Sequence, residues 1–327
     1  MNITLAYQTL RAIDQCVRID QGARFRQFQG QVLPHIKDAY NGKQEEGFRS
    51  HLGASLIGRE CDRELWYSFR WATKSKFSGQ MQRLFNRGHL EEGRFIALML
   101  TMGVQIYQQD ADGRQYRISE YGSHFGGSSD GVAIGIPDLG PGQACLSEYK
   151  THNDKSFSKL AGSNWKKFYE TILDPNLPRV QFEGEGVRLS KFEHFVQMQI
   201  YMRKMGLAVA LYMAVNKNDD QIYAELITLD AGFADKYIER AGRIIALSVA
   251  PPQINKSPGW GGPCFFCDQK PVCKLKATPE RNCRTCHYSE PNMETGKWYC
   301  TNMVCPGELS KKDQLQGCSH YEKNPGM

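Results

Sequence analysis

Eight of the chain's 11 cysteines fall between Cys264 and Cys318, and this clustering limits the possible folds more than any other feature. The tail around them carries too few aliphatic residues to build a core, so it needs metal in order to fold. No basic leader or apolar run marks Met1 to Gln15 for export. The expectation is therefore a cytoplasmic protein, in which thiols stay reduced and clustered cysteines bind metal.

Two sets of thiols can be separated by spacing. Cys264, Cys267 and Cys273 form C-x2-C-x5-C, and Cys61 stands about two hundred residues upstream as a remote fourth. Four thiolates meet the requirement of a 4Fe-4S cluster, with a four-cysteine zinc site as the alternative. Either would tie the start of one domain to its end. The second set opens with Cys283 and Cys286 as C-x2-C, followed by Cys300, Cys305, Cys318 and His320. It fits a closed structural zinc site on Cys283, Cys286, Cys300 and Cys318, with Trp298 and Tyr299 packed beside the third ligand. Cys305 and His320 are the substitutes. Cys16 and Cys145 belong to neither set and are expected to be ordinary buried thiols.

Length and pattern organise the rest. A chain of 327 residues accommodates one large α/β domain and a small appendage. Residues 1–53 read as peripheral, 54–274 as the core domain and 275–327 as the zinc-binding tail. A short helix is expected from Cys61 to Ala72, with Arg63, Trp66 and Arg70 on one face. A longer one from Met81 to Met102 would bury Leu84, Phe85, Phe95, Ile96 and Met99. Strands are expected at Val104–Gln108, Gly126–Ile136 and Ala144–Lys150. After an insertion over the sheet come a helix from Lys191 to Met205, strands at Ala208–Val215 and Gln221–Leu229, and a last helix from Ala231 to Val249. The order is that of an α/β fold with a mixed central sheet flanked by helices. No stretch has the roughly 20 apolar residues a membrane-spanning helix needs.

The chemistry lies in the expected third strand. Glu148 and Lys150 are two apart, so both project from one face. Asp130, in the run SSDG, enters the preceding strand, and a hairpin of that length sets it beside Glu148. Paired carboxylates repel each other and are relieved by a hard cation such as Mg²⁺ or Mn²⁺. A lysine beside them orients or deprotonates water while charge develops on a phosphate. His89 and Glu92 share a face of the long helix, and His194, Gln197 and Tyr201 share a face of the later one.

These motifs resemble the RecB-type branch of the PD-(D/E)XK nucleases, which includes the iron-sulfur nuclease of CRISPR adaptation and phage recombination nucleases. The resemblance spans roughly Cys61 to Cys273. It implies a restriction-endonuclease-like core and a metal-dependent DNA exonuclease. His89, Asp130, Glu148 and the carbonyl of Tyr149 would bind Mg²⁺ or Mn²⁺, and Lys150 would be the catalytic lysine. Gln197 and Tyr201 would form the Q-x-x-x-Y element beside substrate, and Glu92 would assist. The family's cysteine order, one ahead of the core and three after it, is similar to that of Cys61 with Cys264, Cys267 and Cys273. The proline that names the family is Ser129 here.

DNA, as single strands or as ends, is the expected partner. The segment from Lys150 to Tyr169 interleaves Lys155, Lys159, Lys166 and Lys167 with Phe157, Trp165, Phe168 and Tyr169, a composition that neutralises phosphates and stacks on unpaired bases, with a surface loop whose aromatic rings pack inward as the alternative. The net charge of +6 permits a polyanion without requiring one. A recombination or single-strand-annealing protein and a homo-oligomer stay open. A non-catalytic DNA-binding platform and a CRISPR-adaptation nuclease are the rival readings.

Overall fold

The computed structural model describes residues 3–42, 47–112, 114–254 and 262–327. In chain order the first half contains β1 (Thr4–Leu5), α1 (Tyr7–Ile19), α2 (Ala23–Val32), β2 (Leu52–Gly53), α3 (Asp62–Phe69), α4 (Gly79–Thr101), β3 (Gln105–Tyr107), β4 (Arg117–Glu120), β5 (Phe125–Ser128), β6 (Gly131–Ile134) and β7 (Ala144–His152). Then follow α5 (Asp154–Ala161), α6 (Trp165–Leu173), α7 (Gly186–Ser190), α8 (Phe192–Met205), β8 (Val209–Asn216), β9 (Ile222–Thr228) and α9 (Ala231–Ala246). The tail adds α10 (Lys270–Leu275), β10 (Ser289–Pro291), β11 (Trp298–Cys300), β12 (Gly307–Leu309) and α11 (Lys311–Gln316). No helix among the described residues is long and apolar enough to cross a membrane.

The chain forms two compact units that interleave along the sequence. The first takes residues 1–43, 77–117 and 128–234, and the second takes 44–76, 118–127 and 235–327. The sequence reading expects three consecutive segments instead.

The first unit is built on a six-stranded mixed sheet in the order β1-β9-β8-β7-β6-β3. β7 and β8 run parallel and every other neighbouring pair is antiparallel. β8 is buried along its whole length, which accounts for its unbroken apolar run VALYMAV. The N-terminal segment is not peripheral. β1 closes one edge of this sheet against β9, and Leu10 and Ile13 of α1 are buried. Its α1 also lacks a side-chain cap of its own. Asp138 supplies one from afar, accepting from the Gln8 and Thr9 N–H groups at 2.8 and 2.7 Å.

The long helix α4 buries Phe95, Ile96 and Met99 as expected, but Leu84 and Phe85 are exposed. Only its C-terminal half lies against the sheet, where Phe95 stacks on Tyr149 of β7 at 5.2 Å. The expected strand Gly126–Ile136 is broken into β5 and β6 by a turn at Ser129 and Asp130. The expected insertion folds as three helices, and their aromatic residues face inward. Trp165 of α6 is ringed by Phe157, Phe168, Tyr169, Phe182 and Tyr223, while Lys155, Lys159, Lys166 and Lys167 are exposed. The expected base-stacking surface is thus a core, because burying these rings outweighs leaving them to solvent. The lysines alone remain on the outside.

The second unit contains a three-stranded sheet in the order β2-β5-β4, helix α3, most of α9 and the cysteine-rich tail, which carries its own small sheet β10-β11-β12. Helix α3 buries Leu65, Trp66, Tyr67 and Phe69. Arg240 of α9 grips its first residue, donating to Asp62 at 2.8 and 2.5 Å and to the Ile57 carbonyl at 2.6 Å.

Candidate functional site

The site in the first unit is set by the register of one hairpin. Gly131 of β6 pairs with Ser147 of β7, so continuing the ladder places Asp130 opposite Glu148. The glycine is required: its φ is +142°, and a Cβ there would lie 2.8 Å from the Tyr107 carbonyl oxygen. Tyr149 donates its backbone N–H to Asp130 Oδ2 at 2.8 Å, fixing the carboxylate between the two strands. Ser129 donates its N–H to the Tyr116 carbonyl at 3.1 Å. Proline has no such proton to give.

Glu148 is fully buried and Lys150 is partly exposed, its ammonium hydrogen-bonded to Glu148 Oε1. From α8, Gln197 Nε2 donates to Glu148 Oε2 at 3.4 Å. Glu92 on α4 accepts from Gln108 at 3.4 Å. Burial, together with the charge on Asp130, raises the Glu148 carboxyl to about 7 despite the neighbouring Lys150. Burial and then Asp130 raise Glu92 to about 8. Burial works against the Lys150 ammonium, but Glu148, Asp130 and Glu92 together outweigh it and raise its pKa. The structure therefore brings Asp130, Glu148, Lys150, Glu92 and Gln197 into one electrostatic group.

His89 lies one turn before Glu92 on α4 and is half-buried. Tyr201 is buried one turn beyond Gln197. His194, one turn before Gln197, meets a neighbour the sequence does not announce. Its Nδ1 lies 3.0 Å from the Tyr212 hydroxyl, which also lies 2.9 Å from His152 Nε2. Burial lowers His152 to about 3 and holds His194 well below the usual range, so both rings are neutral. Asp38 also presses on Glu92, from a segment with no motif of its own.

The cysteines form two groups in the second unit. Cys61, Cys264, Cys267 and Cys273 all line one small cavity, with Glu64, Tyr67, Gln269 and Lys270. Cys61 is the N-cap residue of α3, and its sulfur faces the N–H groups of Glu64 and Arg63. Cys283, Cys286, Cys300, Cys305, Cys318 and His320 line a second cavity, of about 260 Å³. Trp298 points away from it, packing on Phe69 and His124 instead of beside Cys300. Among the described residues, no three His, Cys, Asp or Glu side chains stand close enough together to hold a metal ion as they are placed.

The donor chemistry of the three groups differs. Asp130, Glu148 and Glu92 offer oxygens, and burial together with the Asp130 charge already disfavours the charged forms of Glu148 and Glu92, the condition a hard divalent cation relieves. The two cysteine groups offer soft sulfur donors, suited to iron-sulfur clusters or zinc.

No protein-family profile matches the chain, and no curated protein matches it. Among solved structures it is similar to an alkaline exonuclease (LHK-Exo) from Laribacter hongkongensis and to LHK-Exo in complex with dAMP. Each match has 18% identity and a TM-score of 0.36, covering 60% of this chain and 87% of the other. It is also similar to SSO0001, at 15% identity and a TM-score of 0.33, covering 76% of this chain and 97% of that one. These overlaps are too loose to assign the chain to a family.

Proposed function

We propose that the first unit is a Mg²⁺- or Mn²⁺-dependent deoxyribonuclease that works from DNA ends. One observation carries the reading: Glu148 and Lys150 share a face of β7 while the Asp130 carboxylate is pinned by the Tyr149 N–H between them. Asp130, Glu148, the Tyr149 carbonyl and His89 would hold the cation. When bound, it would supply Lewis-acid stabilisation of the charge on a phosphate and lower the pKa of a water molecule.

The remaining steps belong to the chain. Lys150, freed from Glu148 once that carboxylate has another counter-charge, orients the attacking water with its ammonium and stabilises the phosphate oxygens. Gln197 holds Glu148 by its second oxygen and keeps it from rotating away. Glu92, with its raised pKa, accepts a proton from the water or returns one to the leaving oxygen. The exposed lysines of α5 and α6 offer a surface for phosphates, so binding weakens as salt rises.

The same reading takes Cys61, Cys264, Cys267 and Cys273 as ligands of a 4Fe-4S cluster with a structural role. It sets the protein in prokaryotic or phage DNA recombination, repair or end processing, with a strand-annealing protein as a partner and self-association as an option.

The test compares anaerobically purified protein with Lys150→Ala on end-labelled single- and double-stranded DNA in Mn²⁺. Cleavage that needs Mn²⁺ and drops at least about a hundredfold in the variant supports the enzyme. Wild-type protein that binds DNA but leaves ends, nicks and circles intact identifies a binding platform instead.

A further inference from the structure

The second unit contains two buried cations with no carboxylate paired to them. Arg70 is 1% exposed and Arg284 is 4% exposed. Among the described residues, neither forms an ion pair with a carboxylate. Arg284 lies flat over Trp71, 3.9 Å from the ring centre, and 4.6 Å from that of Trp298. It donates to Gln314 Oε1 at 2.9 Å and to the Ser50 carbonyl at 2.9 Å. Arg70 lies 5.0 Å from the Trp66 ring centre and donates to the carbonyls of Arg284 and Ser289 at 3.3 and 3.1 Å. Neutral carbonyls and ring faces take most of their N–H groups, Arg70 Nε finding no partner, and leave two positive charges with no carboxylate at ion-pair distance. Buried charge of this kind is costly unless an opposite charge stands near. Burial accordingly pushes Arg70 down to about 10, with Glu290 and then Cys286 pulling the other way.

The other source of negative charge is the loop that carries Arg284. This residue sits between Cys283 and Cys286, both buried, and the carbonyl that Arg70 contacts is its own. The two thiols line the cavity of about 260 Å³ together with Cys300, Cys305 and Cys318. Neutral thiols would supply no charge. Four thiolates around a divalent ion carry a net charge of −2, which equals the two guanidinium charges in size and opposes them in sign.

We propose that Cys283, Cys286, Cys300 and Cys318 bind one structural Zn²⁺, and that the dianionic centre so formed is the counter-charge of Arg70 and Arg284. Binding draws the sulfurs inward as they lose their protons. Cys283 and Cys286 come from one tight turn, Cys300 ends β11, and Cys318 follows α11, so the ion joins the small sheet to both flanking segments. Cys305 and Cys318 are the exposed members of the five. Cys318, Cys286 and Cys300 act on the Cys283 thiol and with it form the ligand set, while Cys305, whose thiol hydrogen-bonds Cys300 and Cys318, is assigned the spare position. This site stands apart from the proposed nuclease centre, and its test does not depend on nuclease activity.

Full-length untagged protein is passed over a chelating resin, and its zinc and iron are measured by mass spectrometry. One zinc per chain is expected in the wild type and in Cys305→Ser. The double variant Cys283→Ser, Cys286→Ser should lose zinc and keep its iron. Wild-type protein without zinc, or a double variant with as much zinc per chain as the wild type, overturns the site. Loss of zinc in Cys305→Ser with retention in Cys300→Ser overturns the ligand set. If the double variant does not fold, wild type prepared with Co²⁺ decides the matter: tetrahedral thiolate cobalt has intense visible bands, and their absence refutes the site. The charge relation has its own readout. Arg70→Met should release zinc to a competing chelator more readily, on the order of tenfold, while Arg243→Met on the exposed side of α9 should not. Equal release from both variants refutes the counter-charge role.

Discussion

At the scale of single residues, the site is a balance of charges left incomplete. Glu148 and Glu92 are raised from 4.5 to about 7 and about 8. A carboxyl raised by folding stabilises the native state below its unfolded pKa, and that contribution is lost as pH climbs through the folded value. Metal-free protein should therefore lose thermal stability between about pH 5 and pH 8 from these two groups. Deprotonation is also what a divalent cation needs, so the stabilisation gained from added Mn²⁺ should grow over the same interval. Calorimetry at several pH values with and without Mn²⁺ tests this; a Mn²⁺ shift that is flat with pH would mean the cation binds elsewhere. Glu148 and Lys150 are legible in the sequence because a strand has a period of two, and Asp130 because its glycine marks the turn. Asp38, Gln108 and the Tyr212 hydroxyl shared by two histidines are not, because each is brought in by long-range packing. Ser129 is the instructive case: the structure uses its N–H, which a proline at that position would lack.

At the scale of elements, periodicity locates the helices but does not say how much of each is covered. The N-terminal half of α4 projects Leu84 and Phe85 to solvent although its pattern is as amphipathic as the buried half. The buried half packs closely through a small residue. A Cβ on Gly93 would stand 2.8 Å from Leu33 Cδ2 and 3.1 Å from Ile36 Cγ1, so the chain following α2 packs directly on the α4 backbone. Gly93→Val should destabilise the protein by about 1–3 kcal/mol through overpacking, read from the denaturant midpoint. Gly88→Val, five residues earlier with open space around it, should cost nothing or stabilise slightly, since valine has the higher helix propensity; equal losses at the two sites would show that overpacking against Leu33 and Ile36 is not the cause. The segment from Lys150 to Tyr169 misleads for a related reason. Alternating lysines and aromatic rings describe a nucleic-acid channel and an amphipathic helix equally well, and only the ring contacts around Trp165 tell them apart.

At the scale of the whole molecule, the α/β order is legible because the strands and helices of the first unit keep their sequence signatures. The interleaving of two units is not, since no composition shift marks where the chain leaves one for the other. The edge strand β1 escapes notice because two residues have no period. Cys61 and the three cysteines of Cys264 to Cys273 belong to one unit despite their separation in sequence. Protein purified without oxygen should be brown with absorbance near about 400 nm, and Cys61→Ser should lose both colour and iron. A colourless wild type containing zinc at this position would show that the same four thiols hold a zinc ion instead.

Helix α3 depends on residues made long after it. Trp66 donates to the Leu247 carbonyl, Tyr67 and Arg63 reach the carbonyl of Gly326, and the Asn282 amide donates to the carbonyl of Trp71. During synthesis at roughly 5–20 residues per second, α3 waits on the order of ten seconds or more for these partners while its tryptophan has no finished place to go. The second unit cannot close until these residues have been made, so a chain paused before Leu247 holds α3 with the Trp66 indole N–H still lacking its acceptor.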